Sequence, residues 1–145
     1  MQINDSLTMQ DWMDVYRTLV RWELELQDVA AEMKEMLAMQ KREANNEFCK
    51  FVRKNYMKWM ETLVRHEQDE NRPLMSPDIF KTQVFPALDK GEKVFFIVID
   101  NFRWDQWKML QPEVAELFNV EENMYCSILP TATQYARNAI FSGLM

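Results

Sequence analysis

Two residues in the second half of the chain are of types that can handle phosphorus. Asp100 ends the apolar run Val94-Phe95-Phe96-Ile97-Val98-Ile99, and Thr133 follows Pro130-Thr131-Ala132. A carboxylate at the carboxyl end of a buried strand faces the crevice where open α/β sheets bind ligands. It can coordinate a hard or borderline cation such as zinc. The same aspartate, followed by Asn101, also suits a turn, because Asp and Asn side chains bond to nearby backbone. Thr133 is placed to open a helix. The positive end of a helix stabilises phosphate, and a hydroxyl there can attack phosphorus when a metal lowers its pKa. Threonine is equally an ordinary helix cap. Arg137 and Asn138, one turn on, can hold phosphate oxygens or can simply cover a helix surface. Spacing alone leaves both readings of each residue open.

The elements around these residues predict how they would be held. Val94 to Ile99 is a continuous, β-branched, apolar run of strand length, which suits a strand buried on both faces of a parallel sheet. Pro112 to Phe118 reads as a crossover helix with proline in its first turn, and Tyr125 to Leu129 as a second strand. Thr133 to Phe141 reads as a second helix. Strand, helix, strand, helix is the opening of a doubly wound α/β domain, here over 92–145. Two strands cannot bury a sheet that apolar.

The first half has a different pattern. Neither Gly nor Pro occurs between Met1 and Asn71. Trp12, Tyr16, Leu19, Trp22, Leu26, Val29, Met33 and Met36 recur at steps of three and four, which is a helical stripe. Phe48, Phe51 or Val52, Tyr56, Trp59 and Leu63 continue it. Thr8 with Asp11 forms a start signal. Two long helices in a hairpin follow, turning near Leu26–Ala31 with Asp28 as the cap of the second, or else at Asn45-Asn46. Ser76-Pro77-Asp78 begins a short helix running to about Val84, which Pro86 stops. Asp89-Lys90-Gly91-Glu92 is a turn. The expected fold class is therefore α+β, with a helical hairpin or three-helix domain over 6–88 followed by the α/β opening.

Composition limits the function classes. Apolar residues make up 48% of the 145, enough for a packed core. Gly 2 is too few for the turns of a complete α/β enzyme. A net charge of -6 argues against a nucleic-acid grip that works by bulk charge. The basic excess at Lys41, Arg42, Lys50, Arg53, Lys54 and Lys58 reads as a solvated helix face. Cys49 and Cys126 match no metal or redox spacing and read as free thiols in a reducing cytoplasm. His66, the sole histidine, lies among charged residues and reads as exposed. The longest apolar run is too short to span a bilayer.

Two longer stretches carry a family resemblance. VFFIVIDNFRWDQ followed by ILPTATQYARNAIFSGLM resembles the start of a PglZ domain, a branch of the alkaline phosphatase superfamily. VYRTLVRWELEL, QKREANNEFCKFVRKNY and PLMSPDIFK resemble the three-helix domain of PorX-type response regulators. The resemblance implies a receiver, a helical domain and a PglZ domain in that order. It implies a two-zinc site in which Asp100 is a metal ligand and Thr133 is both nucleophile and ligand, with Thr131 the less suitable choice. It also implies phosphodiesterase action on nucleotide-type substrates, control of type IX secretion, and sensor-kinase, secretion-system or sigma-factor partners.

The superfamily's other ligands are Asp and His residues downstream of the threonine, so this stretch is expected to be a middle piece of a larger protein. By itself it is expected to bind zinc weakly and not to catalyse. Self-association through the helical domain is expected, since the Trp- and Met-rich stripes suit a pure interaction module as well.

Overall fold

The computed structural model describes residues 6–28, 30–65, 67, 69 and 71–143. The described chain is 65% helical with 1% strand. It packs as two units. One covers residues up to Arg72 together with Trp104–Pro112, and the other covers Pro73–Arg103 with the chain from Glu113 onward.

The first unit is a helical hairpin. Helix α1 spans Met9–Glu25 and α2 spans Ala31–Val64. Thr8 starts α1: its hydroxyl accepts from Asp11 N–H at 3.2 Å, while its own N–H donates to the Asp11 carboxylate at 2.7 Å. Donors that the first turn leaves orphaned are thereby satisfied. The turn falls between Glu25 and Ala31, the first of the two predicted places. The residue capping α2 is Ala30, not Asp28, and it makes no side-chain cap bond. Val29 of the predicted stripe lies outside the described residues.

The stripe divides by depth. Trp12, Leu19, Leu37 and Ala44 form the buried cluster, with Val15, Trp22, Phe48 and Phe51 packed against it. The Trp12 ring lies 5.5 Å from Phe48 and 6.1 Å from Phe51, and Phe51 lies 5.7 Å from Trp59. Those separations suit tilted aromatic pairs. The Lys41–Glu23 pair at 2.6 Å joins the helices at their surface and adds little to stability.

Helix α3 spans Phe85–Asp89 and α4 spans Trp104–Ala115. Both correct the sequence reading. Pro86 does not stop a helix; it sits in the first turn of α3, where its missing N–H was orphaned in any case. Pro112 lies inside α4 rather than opening a helix. It falls in the last turn, so little helix remains beyond it to be interrupted. Trp104 is half-buried, with the Arg17 guanidinium 6.0 Å and the Lys108 ammonium 5.0 Å from its ring centre.

In the second unit the expected sheet is absent among the described residues, so the α+β reading is overturned. Val94 to Ile99 pairs with no other segment among the described residues. Tyr125 to Leu129 contributes a single parallel bridge, Met75 to Cys126. A strand needs a neighbouring backbone for its N–H and C=O groups. An apolar run signals an affinity for burial, but it does not supply that neighbour. The exposures still alternate: Val94 37%, Phe95 89%, Phe96 39%, Ile97 81%, Val98 41%, Ile99 60%. One face of the run lies partly against the unit and the other is open, which is the two-residue period of extended backbone.

The core of this unit forms around the short stretch Leu74 to Asp78. Met75 and Ser76 are fully buried. Met75 N–H donates to the buried Asp78 carboxylate at 2.9 Å. Helix α5, Thr133–Ser142, buries Ala139 and Ile140 and ends at Gly143, whose φ is 64°.

Candidate functional site

The chain brings Asp100 and Thr133 together. Asp100 lies at the turn after the extended run. Asn101 follows it with φ 57°, a left-handed conformation that Asn tolerates better than most residues. Asn101 N–H donates to Asp100 Oδ1 at 3.0 Å. The other carboxylate oxygen, Oδ2, accepts from Thr133 Oγ1 at 3.2 Å. One oxygen of Asp100 thus closes the turn and the other accepts from the threonine.

Thr133 is the first residue of α5, and Ala132 occupies the cap position. Its hydroxyl is therefore not used in side-chain capping. It points across to a residue 33 positions earlier in the chain. Thr133 is half-buried, while Asp100 is exposed. Arg137, one turn along α5, brings Nη1 to 4.0 Å from the same Asp100 oxygen, and both side chains are about half exposed. The attraction is weak at that distance and exposure. Its consequence is a positive charge beside the oxygen pair. Asn138 is exposed on the following residue.

An acid, a hydroxyl and a guanidinium on two converging segments offer a cation two oxygen donors and an anion one charged fork. Carboxylate and hydroxyl oxygens are the donor class that zinc and harder cations accept. They are only part of a coordination shell. Among the described residues, no three His, Cys, Asp or Glu side chains gather in a way that could hold a metal ion. His66 lies outside the described residues.

Residues 1–60 match the PorX response regulator linker domain, and residues 79–145 match the BREX system PglZ alkaline phosphatase-like domain. The first stretch is thus similar to a PorX-type linker and the second to a PglZ-type domain, each over less than half of the chain. The two matches fall in the expected order, but PLMSPDIFK, read with the PorX-type helical domain, lies beyond the linker match and its last three residues fall in the PglZ match. A comparison with curated proteins found no match. Asp100, Thr133, Arg137 and Asn138 all lie in the PglZ segment, and the Trp12 core lies in the linker segment.

What the sequence reading missed is packing around the pair. Phe96 and Phe141 flank Asp100 and Thr133 in sequence, and each packs at a tilt against Phe80, at 4.7 and 5.5 Å. Phe80 was read only as part of a short helix. The cysteines are not part of the site. Cys49 is exposed, and burial pushes the Cys126 thiol up from its ordinary value. No helix among the described residues is long and apolar enough to cross a membrane.

Proposed function

We propose that the chain is the linker and the opening of the effector domain of a cytoplasmic two-component response regulator, and that the effector hydrolyses phosphodiesters with zinc. Thr133 is the nucleophile. Asp100 is a metal ligand, Arg137 meets a non-bridging phosphate oxygen, and Asn138 supports it. The observation that carries this reading is the 3.2 Å approach of Thr133 Oγ1 to Asp100 Oδ2 across 33 residues, within a segment matched to the PglZ alkaline phosphatase-like domain. A hydroxyl that does not cap its own helix, beside a carboxylate and a guanidinium, is arranged for use rather than for local structure.

A bound cation would lower the pKa of the threonine hydroxyl and stabilise a leaving oxygen. The chain's own residues have separate tasks. Asp100 holds the hydroxyl in place by accepting its proton in a hydrogen bond. The positive end of the α5 dipole favours negative charge near Thr133. Arg137 adds a charge that cannot be titrated away. With two oxygen donors alone, tight zinc binding by these residues is not expected. Type IX secretion is the process the PorX-type resemblance points to, with sensor-kinase, secretion-system or sigma-factor partners.

The test is hydrolysis of a chromogenic phosphodiester by the natural full-length gene product with added zinc. Asp100→Ala and Thr133→Ala should each lower the rate at least about a hundredfold, the low end for a group acting directly in the chemical step. Full activity in Thr133→Ala would sink the assignment.

A second reading, a non-catalytic self-association module, draws on the surface of α2. Met33, Met36 and Met39 are 41%, 55% and 67% exposed at steps of three. Trp12 and Trp59 are buried, so the methionines would form such a surface. Met36→Glu should then dissociate a dimer in sedimentation equilibrium. A wild-type chain that sediments as a monomer would remove this reading.

A further inference from the structure

The Thr133–Asp100 contact does not explain itself. It is an exposed hydrogen bond of 3.2 Å between segments 33 residues apart. Water competes for both partners, so the net gain is small. Something else must bring the extended run and α5 to one place.

The stretch Leu74 to Phe80 touches both segments. Leu74 C=O accepts from Cys126 N–H at 2.8 Å, and Met75 forms the parallel bridge to Cys126. Ser76 Oγ, with no exposed surface, accepts from the buried Ile128 N–H at 3.2 Å. These bonds fix the strand-like segment that leads into Pro130 and Thr133. At the far end of α5, a Cβ added at Gly143 would lie 3.6 Å from Pro77 C=O. Phe80 then reaches the other side. Its ring lies 4.7 Å from Phe96, four residues before Asp100, and 5.5 Å from Phe141 on α5. Phe96 and Phe141 meet edge to face at 5.7 Å. Ser76 lies outside both matched ranges, which end at 60 and begin at 79.

We infer that Leu74–Phe80 is the positioning device that holds Asp100 against Thr133, with Ser76 fixing the approach to α5 and Phe80 tying the extended run to it. The inference rests on the reading of that pair as a site. It makes the joining segment part of the effector's scaffold rather than a passive tether. Ser76 is a positioning residue, because it touches neither Asp100 nor Thr133 through any bond described above. It acts through Ile128 and the loop that follows.

Amide NMR of the full chain provides a test that does not need activity. Thr133→Val removes the bond to Asp100 Oδ2 and should shift the Asn101 amide, which is bonded to the other oxygen of that carboxylate. The same substitution is then made in Ser76→Ala and, separately, in Phe141→Leu, whose site is half exposed and whose loss should leave the unit folded. The expected result is that the Asn101 response falls to less than half in either background, while the Ala139 and Gly91 amides stay at their folded positions. A merely structural Ser76 would leave the Asn101 response at full size. An undiminished response in both backgrounds overturns the inference. So does the lack of any Asn101 response in the otherwise wild-type chain. Hydrolysis that persists in Thr133→Ala would instead refute the catalytic reading and leave this NMR result standing.

Discussion

Trp12 is where the linker's packing can be tested most sharply, because two opposing terms meet in one side chain. The ring is 5% exposed and lies against Phe48 and Phe51. Its Nε1–H is buried and finds no acceptor among the described residues. Truncation to alanine removes the packing. For a buried tryptophan that costs about 3–5 kcal/mol, including whatever cavity remains, of which each aromatic pair accounts for about 0.5–1.5 kcal/mol. The unpaired N–H works the other way. A buried donor without a partner costs about 1–3 kcal/mol, so its removal returns part of the loss. Trp12→Phe keeps most of the packing and deletes the donor, and the two changes should nearly cancel, leaving about 1 kcal/mol or less of either sign. The assay is urea unfolding followed by far-UV circular dichroism. The net loss for Trp12→Ala is then about 2 kcal/mol, which at a slope of about 1–3 kcal/mol per molar for a small protein lowers the midpoint by about 0.7–2 M, while Trp12→Phe should barely move it. Met57→Ala, at a 66% exposed site, is the control and should stay within about 0.5 kcal/mol. If Trp12→Phe destabilises as much as Trp12→Ala, the unpaired donor has been misread. If Trp12→Ala loses under about 1 kcal/mol, Trp12 is not in the core.

Further outcomes follow from the same description. Thr8 holds the Asp11 carboxyl below its usual range, through its hydroxyl first and its backbone N–H second. The stabilisation is therefore present above about pH 3.9, the ordinary Asp value, and is lost as pH falls through the lower folded value. Thr8→Ala should flatten the acid limb of a stability–pH curve, and an unchanged limb would remove the capping box from the account. Cys49 should react with iodoacetamide much faster than Cys126 near pH 8, because Cys49 is exposed while burial disfavours the Cys126 thiolate; equal rates in peptide mass mapping would refute this. Gly91, at φ 78° with open space around it, should lose about 1–2 kcal/mol on substitution by alanine from backbone strain alone, read as a drop in the thermal midpoint.

Local signals were legible in the sequence and pairing was not. The Thr8-to-Asp11 start, the turn before Ala31 and the opening of α5 at Thr133 depend on neighbours within a few residues, and each is found where the pattern placed it. Asp100 and Thr133 could be placed at the end of an apolar run and the start of a helix, but both types are common there for local reasons, and only the family resemblance assigned them roles. The extended run was misread because its composition records what it would like to bury, while a sheet depends on which other backbone arrives beside it. Pro112 was misread because proline marks the edge of a helix at either end, and only the Trp104 start shows which edge is meant. The Phe80, Phe96 and Phe141 contact spans three separate segments, and no periodicity within any one of them could reveal it.

Both glycines of the chain have positive φ, Gly91 after α3 and Gly143 after α5. At Gly91 the closure is complete: its N–H reaches Leu88 C=O at 2.8 Å and Glu92 N–H reaches Ala87 C=O at 3.1 Å, the pair of bonds that seals a helix end. Both glycines therefore serve as helix stops, and the segments that carry Asp100 and lead into Thr133 contain none. Those segments have no glycine hinge. Their path is set by side chains with Cβ atoms, which confine φ and ψ to the ordinary wells, with Asn101 at φ 57° the exception among the described residues. Any opening of the oxygen pair to admit a ligand must come from rotamer changes at Thr133 and Arg137, or from α5 swinging as a rigid rod, and not from a supple loop.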